Sequence, residues 1–209
     1  MDKKIVKAMF TNIVSKDNLR PVLNGIHFEK DRCYATDTKI LVVYHKGSSN
    51  FDGKTLDLAG TELKGRFPNV DSVMPKSETL NKFGARIDLE QLQKACNWHL
   101  RLPESTKNDG VVIEDVCYNL ECLQKILNVF QAASELKTAT MLKTEKQKPT
   151  VIKGKSLEAI IMPMQYSETS VDAERQPEGS AVHSYENFIN TFVFEGWKKQ
   201  PVATEMSWL

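Results

Sequence analysis

The sequence predicts an α+β fold, with largely antiparallel sheets and helices on one face of them. Two observations carry that prediction. Apolar residues recur at helical spacing in three separate segments, and strand-like runs follow one another between those segments rather than alternating singly with them. The 209 residues, 41% hydrophobic and 26% charged, suffice for one large domain or two small ones around a substantial core.

The first helix is expected over residues 3–14, KKIVKAMFTNIV, where Ile5, Val6, Met9, Phe10 and Ile13 share a face and Lys3, Lys4 and Lys7 lie elsewhere. Asp17-Asn18 breaks the period. Residues 22–28, 32–35 and 40–44 read as three strands, the first two joined by a tight turn near Lys30-Asp31. The stretch ATDTKILVVYHK changes character within itself. A small polar turn, Ala35-Thr36-Asp37-Thr38, feeds the apolar run Ile40-Leu41-Val42-Val43-Tyr44. Asp37 is expected to hold that turn by bonding its own backbone. A loop, GSSNFDGK, and a short strand at 55–58 follow. Residues 64–78, KGRFPNVDSVMPKSE, carry two prolines and neither period, and are expected to cross the surface in an extended form.

A second helix is signalled by Asp88 with Gln91 three residues later, a capping-box pattern, and by the stripe Leu89, Leu92 and Cys96. After the polar loop PESTKNDG, VVIEDVCY reads as one strand. Asn119 caps a third helix whose stripe, Leu120, Leu123, Ile126, Leu127 and Phe130, is the clearest helical period in the chain. Strands over 136–142, 150–153 and 157–162 form a meander with a hairpin at EKQK. Beyond Met164, SETSVDAERQPEGSAVH reads as a polar, mobile linker. SYENFINTFVFEGWKK is aromatic, fits helix or strand, and is expected to pack on the body. PVATEMSWL closes the chain. The expected division is 1–79, 80–166 and a tail of 167–209, with the first boundary near 76–84.

Composition excludes several function classes. A net charge of +1 gives no global field toward nucleic acid or membrane, so any basic surface is local. Apolar runs such as Ala159-Ile160-Ile161-Met162 are far too short to span a bilayer, and MDKKIVKAMF lacks the apolar core of a secretory signal. The cysteines Cys33, Cys96, Cys117 and Cys122 show no CxxC spacing and read as reduced, buried thiols of a cytoplasmic protein. His27, His45, His99 and His183 lie far apart, with no carboxylate at ligand spacing, so neither metal nor cofactor is expected. No Ser/His/Asp spacing, Gly-rich phosphate loop or paired carboxylate motif points to an enzyme.

Three stretches, taken in order, resemble one family, the bacterial DNA polymerase III β subunit or sliding clamp. RPVLNGIHFE followed by ATDTKILVV is similar to that clamp's middle-domain run, in which a Leu-Asn-Gly strand precedes Ala-Thr-Asp-Gly-His-Arg-Leu-Ala. GRFPNVDSVMP resembles the Gly-Arg-Phe-Pro stretch that closes that domain. LEAIIMPMQ resembles the Val-Met-Pro-Met-like strand at the clamp's C-terminus, and YNLECLQKILNVF the helix preceding it. The match covers parts of residues 5–164 and implies two shortened clamp modules, 1–79 like the middle domain and 80–166 like the last.

The resemblance implies a hydrophobic groove for short linear peptides of polymerases and repair proteins. Carried over by position, it comprises Leu23, Thr36, Thr38, Lys39, Ile40, Leu41, Pro68, Ser72, Val73, Ile160, Met162, Pro163, Met164 and Gln165. Apolar pockets beside exposed backbone suit an extended peptide, and methionine walls adapt to varied guests. The departures are specific. Thr38-Lys39-Ile40 replaces the family's Gly-His-Arg, and Ser72 stands for an arginine. Only about twenty residues separate Tyr44 from Gly65, too few for the helix and strands expected there. Three helices are therefore counted where two full modules carry four.

In the family those helices present cations to the duplex. Here Lys3, Lys4, Lys7, Lys94, Arg101 and Lys125 are the candidates, a thin set that implies weak, salt-sensitive DNA binding. Encirclement would need self-association, three copies making a six-module ring. The expected function is thus a non-catalytic replication accessory protein. A second reading keeps the fold but binds an unrelated partner through the tail. Glu205-Met206-Ser207-Trp208-Leu209 also resembles peptides that dock on bacterial clamps, so that end of the chain is a further docking candidate.

Overall fold

The computed structural model describes residues 2–45, 50–84, 86–144, 148–173 and 179–193. Its strands are β1 (Ile26–Phe28), β2 (Arg32–Thr36), β3 (Ile40–His45), β4 (Lys54–Leu56), β5 (Asn81–Lys82), β6 (Gly110–Ile113), β7 (Val116–Asn119), β8 (Thr140–Lys143), β9 (Thr150–Lys153), β10 (Leu157–Ile161) and β11 (Val182–Ser184). Eight of them form one sheet in the order β4-β1-β2-β3-β10-β9-β8-β5, antiparallel at every step. A second sheet has the order β11-β6-β7, with β11 parallel to β6. The α+β arrangement is the one the sequence predicts.

The helices are α1 (Lys3–Asn12), α2 (Leu89–His99), α3 (Leu120–Ala132) and α4 (Tyr185–Thr191). Asp2, Asp88, Asn119 and Ser184 cap them, each side chain accepting from a first-turn N–H. The capping box at Asp88 is only half formed, because the Asp88 N–H donates to the Tyr185 hydroxyl at 3.1 Å instead of to Gln91. Helix α3 packs against both α1 and α2 and lies on β3 and β10. Its Leu120, Leu123, Ile126, Leu127, Val129 and Phe130 are fully buried. At about 1.5–3 kcal/mol for each large side chain, this stripe is a principal source of stability.

The sheet's pleat sorts residues onto two faces. From β3, Ile40, Val42 and Tyr44 join the main core beneath the helices, as do Cys33 and Ala35 of β2 and Leu157, Ala159 and Ile161 of β10. Leu41, Val43, Tyr34 and Ile160 point the other way, into a smaller cluster with Leu23, Phe67 and Val70. Strand β3 is apolar from Ile40 to Tyr44 because both of its faces are covered there. Its pairing with β10 (Ile40 with Ile161, Leu41 with Ile160) makes the sheet continuous across residues 1–79 and 80–166.

Several sequence expectations are corrected. Residues 22–25 are not strand: Pro21–Asn24 is a 3-10 turn, which Pro21 favours at its first position. Gly25 follows where a Cβ would meet the Leu56 carbonyl oxygen at 2.5 Å. The segment 64–78 contains 3-10 turns at Val70–Ser72 and Ser77–Thr79. VVIEDVCY is a hairpin rather than one strand, turned by Glu114 at φ 57°. Strand β8 begins at Thr140, not at 136, since Glu135 starts a turn that accepts from Thr138 and Ala139 N–H. The supposed linker holds a 3-10 turn, Glu168–Ser170, and β11, while α4 makes a fourth helix. Residues 145–147 of EKQK and the end at 205–209 lie outside the described residues. Among the described residues no helix is long and apolar enough to cross a membrane. All four cysteines are buried free thiols.

Candidate functional site

The turn between β2 and β3 is built by its own polar side chains. Asp37 Oδ1 accepts from the N–H groups of Lys39 and Ile40, both at 3.0 Å. Thr36 Oγ1 donates to the Ile40 carbonyl at 2.6 Å and accepts from the Thr38 N–H at 3.0 Å. Thr38 sits at φ 81°, in the left-handed region that a β-branched residue rarely adopts. This turn delivers β3 in register with β10, which sets Leu41 beside Ile160. The Met162 N–H donates to the Lys39 carbonyl at 3.1 Å and carries the pairing to the rim.

The facing wall is the 64–78 segment, and three interactions fasten it to the sheet. The Phe67 ring lies 5.2 Å from that of His27 and 5.3 Å from that of Tyr34. Arg32 donates to both carboxylate oxygens of Asp71, at 2.8 and 2.9 Å, and also pairs with Glu29. The Tyr34 hydroxyl donates to Glu29 Oε1 at 2.6 Å. The fork to Asp71, with the bond to Glu29, holds the Arg32 pKa well above its ordinary value. Burial, with Glu29, does the same for Tyr34.

Between sheet and wall lies a groove of about 490 Å³ with a mostly apolar floor. Leu23, Thr36, Thr38, Lys39, Ile40, Leu41, Pro68, Ser72, Val73, Ile160 and Met162, all named by the family resemblance, line it. Leu41, Ile160 and Leu23 are buried in its floor, while Val73 and Met162 stand 53% and 46% exposed at its rim. Arg20, Phe67, Val70 and Pro149 also line it and were missed. Phe67 and Val70 lie inside the quoted GRFPNV stretch and Arg20 opens the quoted RPVLNGIHFE stretch, so a signal existed for all three; Pro149 carried none. An adjoining depression of about 570 Å³ shares Ser72, Val73 and Pro149 and adds Met74, Pro75, Thr79, Asn81, Thr144 and Lys148.

Pro163, Met164 and Gln165 do not line the groove. Pro163 has no N–H to continue the ladder, and the Met164 N–H donates to the Cys117 carbonyl at 2.9 Å. The chain thereby crosses to the second sheet, where these residues border a different depression with Asp115 and Glu168.

No protein-family model and no curated protein matches the sequence. Solved structures do match the fold. The DNA polymerase III β sliding clamp of Bartonella birtlesii, solved bound to griselimycin, superposes with a TM-score of 0.58 at 13% identity, over 78% of this chain and 63% of that one. The Pseudomonas aeruginosa clamp gives 0.58 at 12%, and the Thermotoga maritima β subunit 0.56 at 12%, each over 78% and 63%. The fold is that of the bacterial sliding clamps. The chain spans just under two thirds of the length of the clamps it matches.

On the helical side of this clamp fold, Lys3, Lys4, Lys7, Lys94 and Arg101 are exposed, but they are spread over α1, α2 and the turn after α2. Lys94 lies 3.7 Å from Glu90. Lys125, on central α3, is engaged by Glu121 at 2.9 Å and Asp37 at 3.7 Å. Burial alone would lower its pKa, and these two carboxylates outweigh that and raise it. Amides join the helices instead. Gln93 Nε2 donates to Asn128 Oδ1 and Gln131 Oε1, both at 2.9 Å; Asn128 Nδ2 reaches Asn12 Oδ1 at 3.3 Å; and Gln124 Nε2 donates to Asn97 Oδ1 at 2.8 Å.

The histidines find partners that sequence spacing did not offer. His99 Nε2 lies 2.8 Å from Asp109 Oδ2, both groups buried. Asp109 also accepts from the Thr106 N–H and hydroxyl and from the Ala181 N–H. Burial would raise the Asp109 pKa, but these bonds prevail and hold it far below the ordinary carboxylate range. The arrangement ties α2, the 102–109 loop and the start of the tail together. Among the described residues no group of three His, Cys, Asp or Glu could hold a metal.

Proposed function

We propose that this chain is a non-catalytic, sliding-clamp-like replication accessory protein that acts by receiving short apolar peptides of polymerases or repair proteins in the groove between β3, β10 and the 64–78 wall. One observation carries the reading: residues distant in sequence, around Leu23, Leu41, Val73 and Met162, converge on one open apolar trough. Its floor is built on the paired strands β3 and β10, its rim holds adaptable Met162, and it lies away from the helix layer, so an extended guest meets no helix. Residues 1–79 and 80–166 serve as the two shortened clamp modules, both contributing to the groove. The neutral amide face and the engaged Lys125 support, at most, weak and salt-sensitive duplex contact by self-associated copies. A reading in which the tail binds an unrelated partner is less well supported, because Val182, Tyr185, Phe188 and Phe192 of the tail are engaged on the body.

The test is calorimetric titration of the full chain with a peptide of the sequence Glu-Met-Ser-Trp-Leu. Affinity in the micromolar range, about −8 kcal/mol, is expected. Val73→Asp with Met162→Asp, both at exposed sites, should weaken it at least about tenfold by placing charge on the apolar rim. An unchanged affinity in that variant rejects the groove.

A further inference from the structure

We infer that the groove selects peptides that carry carboxylates beside their apolar anchors. This rests on the peptide-groove reading and adds the sign of the occupant's charge. Arg20 and Lys39 line the groove, Lys148 lines the depression joined to it, and all three are exposed. None of the three is ion-paired among the described residues. No Asp or Glu is among the described residues lining either depression. Asp71, on the wall turn, is held by both prongs of Arg32 and its charge is offset there.

The local charge is not a global one. The whole chain carries only +1, and the described residues lining the depressions beside the second sheet include Glu114, Asp115, Glu168 and Glu186 and no Lys or Arg, with Lys143 offsetting the first two. Charge is therefore segregated between surfaces. An apolar floor of low polarizability strengthens the field of cations at its rim. A peptide carboxylate held beside an anchored side chain gains from Arg20 or Lys39, whereas an ammonium there is repelled. Such rim contacts contribute discrimination more than raw affinity.

The experiment uses three labelled pentapeptides, Glu-Met-Ser-Trp-Leu and its Gln-first and Lys-first versions, titrated into the full chain by fluorescence anisotropy. The expected order is Glu, then Gln, then Lys, with about three- to tenfold between the extremes at roughly 50 mM salt and a narrower spread at roughly 500 mM. Arg20→Gln with Lys39→Gln should level the three. Equal binding of all three to the wild-type chain, still sensitive to Val73→Asp, overturns the charge selection and leaves the groove standing. Failure of every probe removes the groove reading itself. Self-association that shuts out every probe assigns the trough to a second copy and also overturns the proposal.

Discussion

Thr38 shows how much one residue carries at the groove. Its φ of 81° costs roughly 1–2 kcal/mol in an L-residue, and the flanking Thr36 and Asp37 bonds hold it there. Thr38→Gly should raise stability to chemical denaturation by about 0.5 kcal/mol, the relief of strain exceeding the entropy that glycine adds to the unfolded chain. Asp109 is the opposite case, a buried carboxylate satisfied on both oxygens. Its pKa is depressed, so its contribution is complete above the unfolded value near about 4 and fades as pH falls below it. Asp109→Asn should lower stability at pH 7 by about 2–4 kcal/mol and reduce the loss of stability measured by urea unfolding between about pH 5 and 3. Asp37 was legible as a turn-former from its neighbours alone. The partnership of His99 with Asp109 was not, because a loop must fold back before the two can meet.

Elements succeed or fail according to what lies at their ends. Helices α2 and α3 were readable because cap and stripe agree within a dozen residues, and α1 was readable from its stripe. The VVIEDVCY hairpin was not, since its two-residue turn lacks glycine and relies on Glu114 adopting a positive φ beside Lys143. The turn between β9 and β10 depends on a distant acid: Glu135 accepts from the Lys155 and Ser156 N–H groups and the Ser156 hydroxyl. A Cβ on Gly154 would clash with Glu135 Oε2 and lie 3.0 Å from the Phe130 ring. Gly154→Ala should therefore cost about 1–3 kcal/mol in thermal or chemical denaturation, and a companion Glu135→Ala should recover little of it, because three donors then lose their acceptor.

For the whole molecule, the decisive contact is β3 against β10, which joins 1–79 and 80–166 in one sheet over one core. Heat should unfold both parts in a single transition, with far-ultraviolet and near-ultraviolet dichroism changing together; two separated transitions would show that the parts are independent. The groove was largely legible because its residues fall in three short stretches whose order matched a known pattern. Pro163 to Gln165 were misplaced because sequence proximity to Met162 cannot reveal where a ladder ends. By itself the sequence determined local things: the helices α1, α2 and α3, the caps Asp88 and Asn119, the turn at Asp37, and the unbroken apolar run Ile40 to Tyr44. Only the tertiary structure decided that Arg32 would grip Asp71, that Lys125 would be engaged by two carboxylates, and that the trough would stand open. Hydrogen-bond caps and periodicity act over a few residues, whereas these depend on long-range closure of the chain, whose partners no local pattern names.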